Sequence, residues 1–100
     1  MTRQLRTTKS FRKDYKKLNN DEIVETDTVV KKLLKDEPLD TKYRDHDLLG
    51  NYIGFRECHI RPDLFLVYKK SNDGKLYILT LYRISSHTKI FDIKKSKKNK

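Results

Sequence analysis

The sequence predicts an α+β fold: two N-terminal helices packed on a mainly antiparallel, twisted sheet, in the order β-α-α-β-β-β. Three observations carry the prediction. Apolar residues recur at helical spacing in the first third of the chain, and three runs rich in β-formers, separated by turn signals, fill residues 55–84. The third is size: with 100 residues, 35% of them hydrophobic and 38% charged, there is room for one modest core between two layers.

Each element has its own signal. Arg3 to Thr7 reads as a short first strand. After Ser10, Phe11, Tyr15 and Leu18 share one helical face, and Asn19-Asn20 stops that helix. Asn20 then serves as an N-cap, Asp21 and Glu22 suit the positive end of a helix dipole, and Ile23, Val29, Val30, Leu33 and Leu34 form an apolar stripe until Pro38 forbids continuation. The second helix is therefore expected over residues 21–36. Thr26, Thr28, Val29 and Val30 are weak helix formers, so packing must hold it. Residues 39–54 show no period and read as loop, punctuated by Gly50 and Gly54. Phe55 to Ile60, Leu64 to Lys70 and Lys75 to Ile84 are the remaining strands. Arg61-Pro62-Asp63 and Asn72-Asp73-Gly74 mark the turns between them. Residues 64–68 are apolar at both parities, as a central strand buried on both faces requires.

Composition narrows the function. Lys and Arg number 24 against 14 Asp and Glu, a net charge of +10, which points to a polyanionic partner. Five lysines crowd residues 94–100, expected to be a basic, disordered tail behind a single domain over 1–93 that is itself basic. No apolar run approaches the roughly 20 residues that span a bilayer, and MTRQLRTTKS is no signal peptide, so a cytoplasmic protein with no membrane association is expected. A single cysteine, Cys58, excludes a disulfide framework and thiolate zinc motifs.

Three histidines, His46, His59 and His87, fall in three separate segments. If folding brings them together, they suit RNA cleavage. An imidazole with a pKa of roughly 6.5 can accept the 2′-hydroxyl proton while a protonated one donates to the 5′-oxygen. Asp63, four residues after His59 across a turn, can orient an imidazole and favour its charged form, and Arg56 or Arg83 can neutralise charge on the scissile phosphate. Taken singly, these residues are also ordinary turn and strand-edge residues. A metal site is disfavoured: Cys58 and His59, adjacent in a strand, point to opposite faces, and no HxH, HxxxH or CxxC spacing occurs. Cys58 itself reads as a small buried apolar residue. No P-loop, GxGxxG or GxSxG motif is present.

Three blocks carry a family resemblance: Tyr43 to Gly50 (YRDHDLLG), Phe55 to Tyr68 (FRECHIRPDLFLVY) and Arg83 to Phe91 (RISSHTKIF). In this order and spacing they resemble the YafQ branch of the RelE/ParE toxin superfamily, over roughly Phe11 to Phe91. The resemblance implies a RelE-like fold, with a further short strand or helix at the C-terminus allowed. It also implies a type II toxin that acts as a ribosome-dependent endoribonuclease on mRNA and is silenced by a cognate antitoxin. Its implied acid–base set is His46, His59, Asp63 and His87, with Phe91 as an aromatic contact to RNA. His87 is the expected acid; His46 or His59, assisted by Asp63, is the base. No cofactor or metal is implied. Leu64 stands where family members carry tryptophan, and Ser85 where glycine is common before the Ser-His pair. Two other classes stay open: a noncatalytic ParE-like toxin directed at DNA gyrase, and an RNA-binding module with incidental histidines. The histidine set separates them, since neither alternative needs it.

Overall fold

The computed structural model describes residues 2–86. His87, Phe91, any C-terminal element and the lysine-rich segment 94–100 lie outside the described residues. Strand β1 (Gln4–Thr7) is followed by helices α1 (Lys9–Tyr15) and α2 (Asn20–Leu34). A short strand β2 (His46–Asp47), flanked by 3-10 turns at Thr41–Tyr43 and Gly50–Tyr52, precedes β3 (Arg56–Arg61), β4 (Leu64–Asp73) and β5 (Leu76–Ser85). The five strands form one sheet in the order β1-β5-β4-β3-β2, antiparallel throughout except for the parallel pair β1 and β5. Among the described residues no helix is long and apolar enough to cross a membrane.

The expected elements form, with shifted ends. Thr8 caps α1, its hydroxyl accepting from the Phe11 amide, and Ser10 lies within the first turn. Asn19, not Asn20, caps α2, because only from there does Glu22 reach back to close a capping box, with bonds of 2.8 and 2.9 Å. The segment 39–54, expected to be loop, holds β2 and two 3-10 turns. In the last hairpin Asn72 and Asp73 continue the ladder, and the loop proper is Gly74-Lys75, with Gly74 at φ +62°.

The core lies between the helices and one face of the sheet. Phe11, Val29, Val30 and Leu33 pack on Cys58, Ile60, Leu66, Tyr68, Leu79, Leu81 and Ile84. Leu81 and Ile84 are three apart in one strand, yet both face the helices. A bulge makes this possible: Tyr68 pairs with Leu81 and Val67 with Arg83, leaving Tyr82 as the extra residue. The Tyr82 carbonyl accepts from the Thr8 hydroxyl at 2.8 Å, and the Leu81 carbonyl from the Thr8 amide at 3.1 Å. One residue thus caps α1 and ties it to the bulge. On the opposite sheet face a smaller cluster gathers Phe65 and Val67 with Leu48, Phe55 and Tyr82.

Candidate active site

The face of β3 turned away from α1 and α2 carries the candidate site. Strand alternation puts Glu57 and His59 on one side, away from Cys58 and Ile60, which are buried in the main core. The antiparallel pairing of β2 with β3 then sets His46 directly opposite Glu57. His46 Nε2 lies 3.4 Å and His59 Nε2 3.8 Å from the same oxygen, Glu57 Oε1. The two imidazole rings are 6.1 Å apart. His59 stands edge-on to Phe65 at 4.3 Å, which fixes its plane.

Backbone chemistry sets the tautomer of His46. Its Nδ1 is 2.6 Å from the Arg44 carbonyl, which can only accept, so Nδ1 donates and Nε2 is left to exchange a proton beside Glu57. Arg44 reaches this position in a left-handed conformation, φ +48°, at the end of the first 3-10 turn. His46 is about half exposed while the Glu57 carboxylate is buried. The arrangement is one half-exposed and one partly buried imidazole over one buried carboxylate. It suits proton transfer, and its three donor groups also suit a cation.

The other expected residues are distributed around this centre. Asp63 sits in the β3–β4 turn and lines a groove with Asp14, Arg83, Ser85 and Ser86; it makes no hydrogen bond or ion pair with the described residues. The carboxylate beside His46 and His59 is Glu57, while Asp63 shares its groove with the two serines that precede His87. Both arginines expected at phosphate are engaged internally. The Arg56 guanidinium bonds Asp45, Asp47 and the Tyr68 hydroxyl; Arg83 bonds Asp14 through two nitrogens at 2.6 and 3.1 Å. Its carboxylate partner Asp45 raises the pKa of Arg56, so the cation is permanent. Cys58 is fully buried, and burial pushes its thiol far above the ordinary value, removing it as a nucleophile. Glu57 was missed from sequence. Its signal was the Glu-x-His spacing within a strand, which puts both side chains on one face.

Comparison with known proteins places this architecture among the toxins of toxin–antitoxin pairs. A copper-bound mutant toxin from Helicobacter pylori superposes with a TM-score of 0.77 at 38% identity, over 91% of this chain and all of that one. YafQ in the Escherichia coli DinJ–YafQ toxin–antitoxin complex does so with a TM-score of 0.77 at 26% identity, over 91% of this chain and 99% of that one. The mRNA interferase toxin YafQ of Escherichia coli K12 is 35% identical over 54 residues; the chain spans about half the length of this curated relative, 54%. Residues 3–92 match the family described as bacterial toxin of type II toxin-antitoxin system, YafQ, and the chain belongs to that family.

Proposed function

We propose that this toxin is an endoribonuclease that cuts mRNA in translating ribosomes and is neutralised by a cognate antitoxin. The observation that carries the reading is the convergence of His46 and His59 on Glu57, on the sheet face opposite the two helices of a chain with net charge +10. One imidazole of the pair takes the 2′-hydroxyl proton as that oxygen bonds to the adjacent phosphorus. The P–O5′ bond breaks, and O5′ leaves with a proton from a second histidine, for which His87 is the candidate. The products are a 2′,3′-cyclic phosphate and a 5′-hydroxyl end. Glu57 stabilises the imidazolium formed in the first transfer, as a buried carboxylate does in other acid–base pairs. Asp63 assists from the β3–β4 turn, and Phe91 contacts a base. Support for the activity comes from the Escherichia coli relatives, one named an mRNA interferase and another crystallised with the antitoxin DinJ. A cytoplasmic site of action follows from a ribosomal substrate.

The test adds protein to a translating extract and to naked mRNA in parallel and maps new ends by primer extension. Codon-phased cuts with 5′-hydroxyl ends in the translating sample only, absent with His59→Ala and with His87→Ala, are expected. No cuts in either sample, together with inhibited gyrase supercoiling, would replace this reading with the noncatalytic one.

A specific observation favours a second use of the same residues. His46, Glu57 and His59 offer two imidazole nitrogens and a carboxylate oxygen within 4.8 Å of one another, a donor set that fits zinc or copper(II), and a Helicobacter pylori relative is described as copper-bound. An ion held by these three residues would occupy the nitrogen lone pairs that proton transfer needs. In the nuclease it would be an inhibitor.

A further inference from the structure

β2 pairs with Arg56 and Glu57, so from Cys58 onward no strand among the described residues neighbours the outer edge of β3. The first 3-10 turn and Arg44 lean over that edge instead and leave a groove of about 800 Å³, in the range of ligand-sized clefts. It opens beside His59 and runs toward α2. Lys42, Arg44 and Arg61 line it, against one carboxylate, Glu25. Glu25 is already the acceptor of a 2.6 Å bond from the Tyr43 hydroxyl.

Four other cations near the sheet differ from these three. Asp36 pairs with both Arg3 and Lys70, Asp45 and Asp47 with Arg56, and Asp14 with Arg83. Among the described residues no carboxylate lies within ion-pair distance of Lys42, Arg44 or Arg61; Lys42 instead caps the Tyr43 ring at 5.1 Å. A groove with three uncompensated cations and an aromatic wall, continuous with an imidazole of the catalytic pair, has the chemistry of a strand-tracking nucleic-acid channel. We propose that this groove holds the phosphodiester backbone of the RNA strand on one side of the cut, with Lys42, Arg44 and Arg61 as its phosphate contacts. The proposal rests on the nuclease reading and names where its substrate lies. Arg44 links the two functions, since its carbonyl orients His46 while the residue itself lines the groove.

The test measures binding of an RNA oligonucleotide with 2′-deoxy substitution at the cleavage position, by fluorescence anisotropy across a salt series. The triple variant Lys42→Gln/Arg44→Gln/Arg61→Gln is expected to bind at least about tenfold more weakly and to lower the salt slope by about 2, at roughly 0.7 per single-strand phosphate contact. Arg61→Gln alone, remote in sequence from the His46 loop, is expected to lower it by about 0.7. The control Lys9→Gln/Lys13→Gln/Lys75→Gln removes three exposed charges elsewhere. Equal losses in variant and control, or an unchanged slope in the variant, overturn the groove and leave the nuclease reading standing. Wild-type protein that binds no RNA and makes no cuts in the translating extract overturns both.

Discussion

The hydroxyl of Tyr68, in the fully buried middle of β4, donates a hydrogen bond to Asp45, the residue immediately before His46. Burial, reinforced by the bond to Asp45, raises the pKa of this phenol far above its ordinary value, so it is a donor at every working pH. Arg56 completes the contact: it donates to Tyr68 at 3.2 Å and pairs with Asp45 and Asp47, which flank His46 on either side. The His46 imidazole, on an exposed two-residue strand, is thus anchored through its neighbours to the centre of the sheet.

This anchoring makes Arg56 and Tyr68 positioning residues. Tyr68→Phe is expected to cost about 1–3 kcal/mol of stability, because it leaves Asp45 and Arg56 short of a buried partner. Arg56→Gln is expected to lower kcat for mRNA cleavage more than it raises KM, with partial rescue by Arg56→Lys. A pure KM effect from Arg56→Gln would instead make this side chain a phosphate contact.

Zinc is expected to inhibit cleavage by wild-type protein, with activity restored by chelator. Glu57→Gln removes one ligand of three and is expected to weaken zinc affinity by at least about tenfold in calorimetric titration. Equal zinc affinity in wild type and Glu57→Gln would exclude this triad as the binding site.

Asp36 predicts an acid-dependent loss of stability. It closes α2 at φ +56° and accepts from Arg3 at 2.7 Å and Lys70 at 2.8 Å, clipping β1 and β4 to the helix end. The bond from Arg3, then that from Lys70, lowers its pKa below the ordinary 3.8. A carboxylate depressed in the folded state contributes stability above its unfolded value and loses it as pH falls through the folded one. Asp36→Asn, which tolerates the left-handed conformation equally, should therefore narrow the difference in urea midpoint between pH 7 and pH 3. An unchanged difference would remove Asp36 from the acid transition.

Tyr43 predicts the opposite window. Its bond to Glu25, then burial, pushes its pKa up to about 12 from 10.0. The folded state keeps a proton that the unfolded chain releases, so this contribution is complete below pH 10 and is lost as pH rises toward 12. Tyr43→Phe is expected to be less stable than wild type at pH 8, and the gap should narrow by pH 11.5. Parallel curves across that range would refute the linkage.

The helices and the β3–β4–β5 meander were legible because their signals are local: apolar periodicity, two asparagines before an acidic turn, a glycine where φ must be positive. The cap of α2 slipped by one position, since Asn19 and Asn20 look alike until the reach of Glu22 selects between them. Two features had no local signal. The parallel pairing of β1 with β5 joins Leu5 to Leu79 across most of the chain. β2, at two residues, is too short to show alternation, and without it the approach of His46 to His59 could not be read. Glu57 was overlooked for the same reason, as its importance depends on what stands opposite it. Arg56 and Arg83 were recognisable as cations near the site, but only geometry reveals that carboxylates already hold them.

The brevity of β2 separates two kinds of integrity. The β4 centre, sealed on both faces, opens only when the whole domain does, whereas two residues at a sheet edge exchange their contacts with solvent at far lower cost. His46 therefore belongs to a part of the molecule whose order hangs on a few contacts, those of Asp45 and Asp47 with Arg56 and Tyr68 and that of His46 with the Arg44 carbonyl. A substitution there can leave melting temperature and circular dichroism untouched while half of the site has come loose. Amide exchange at residues 44–48 is the observable that registers the difference.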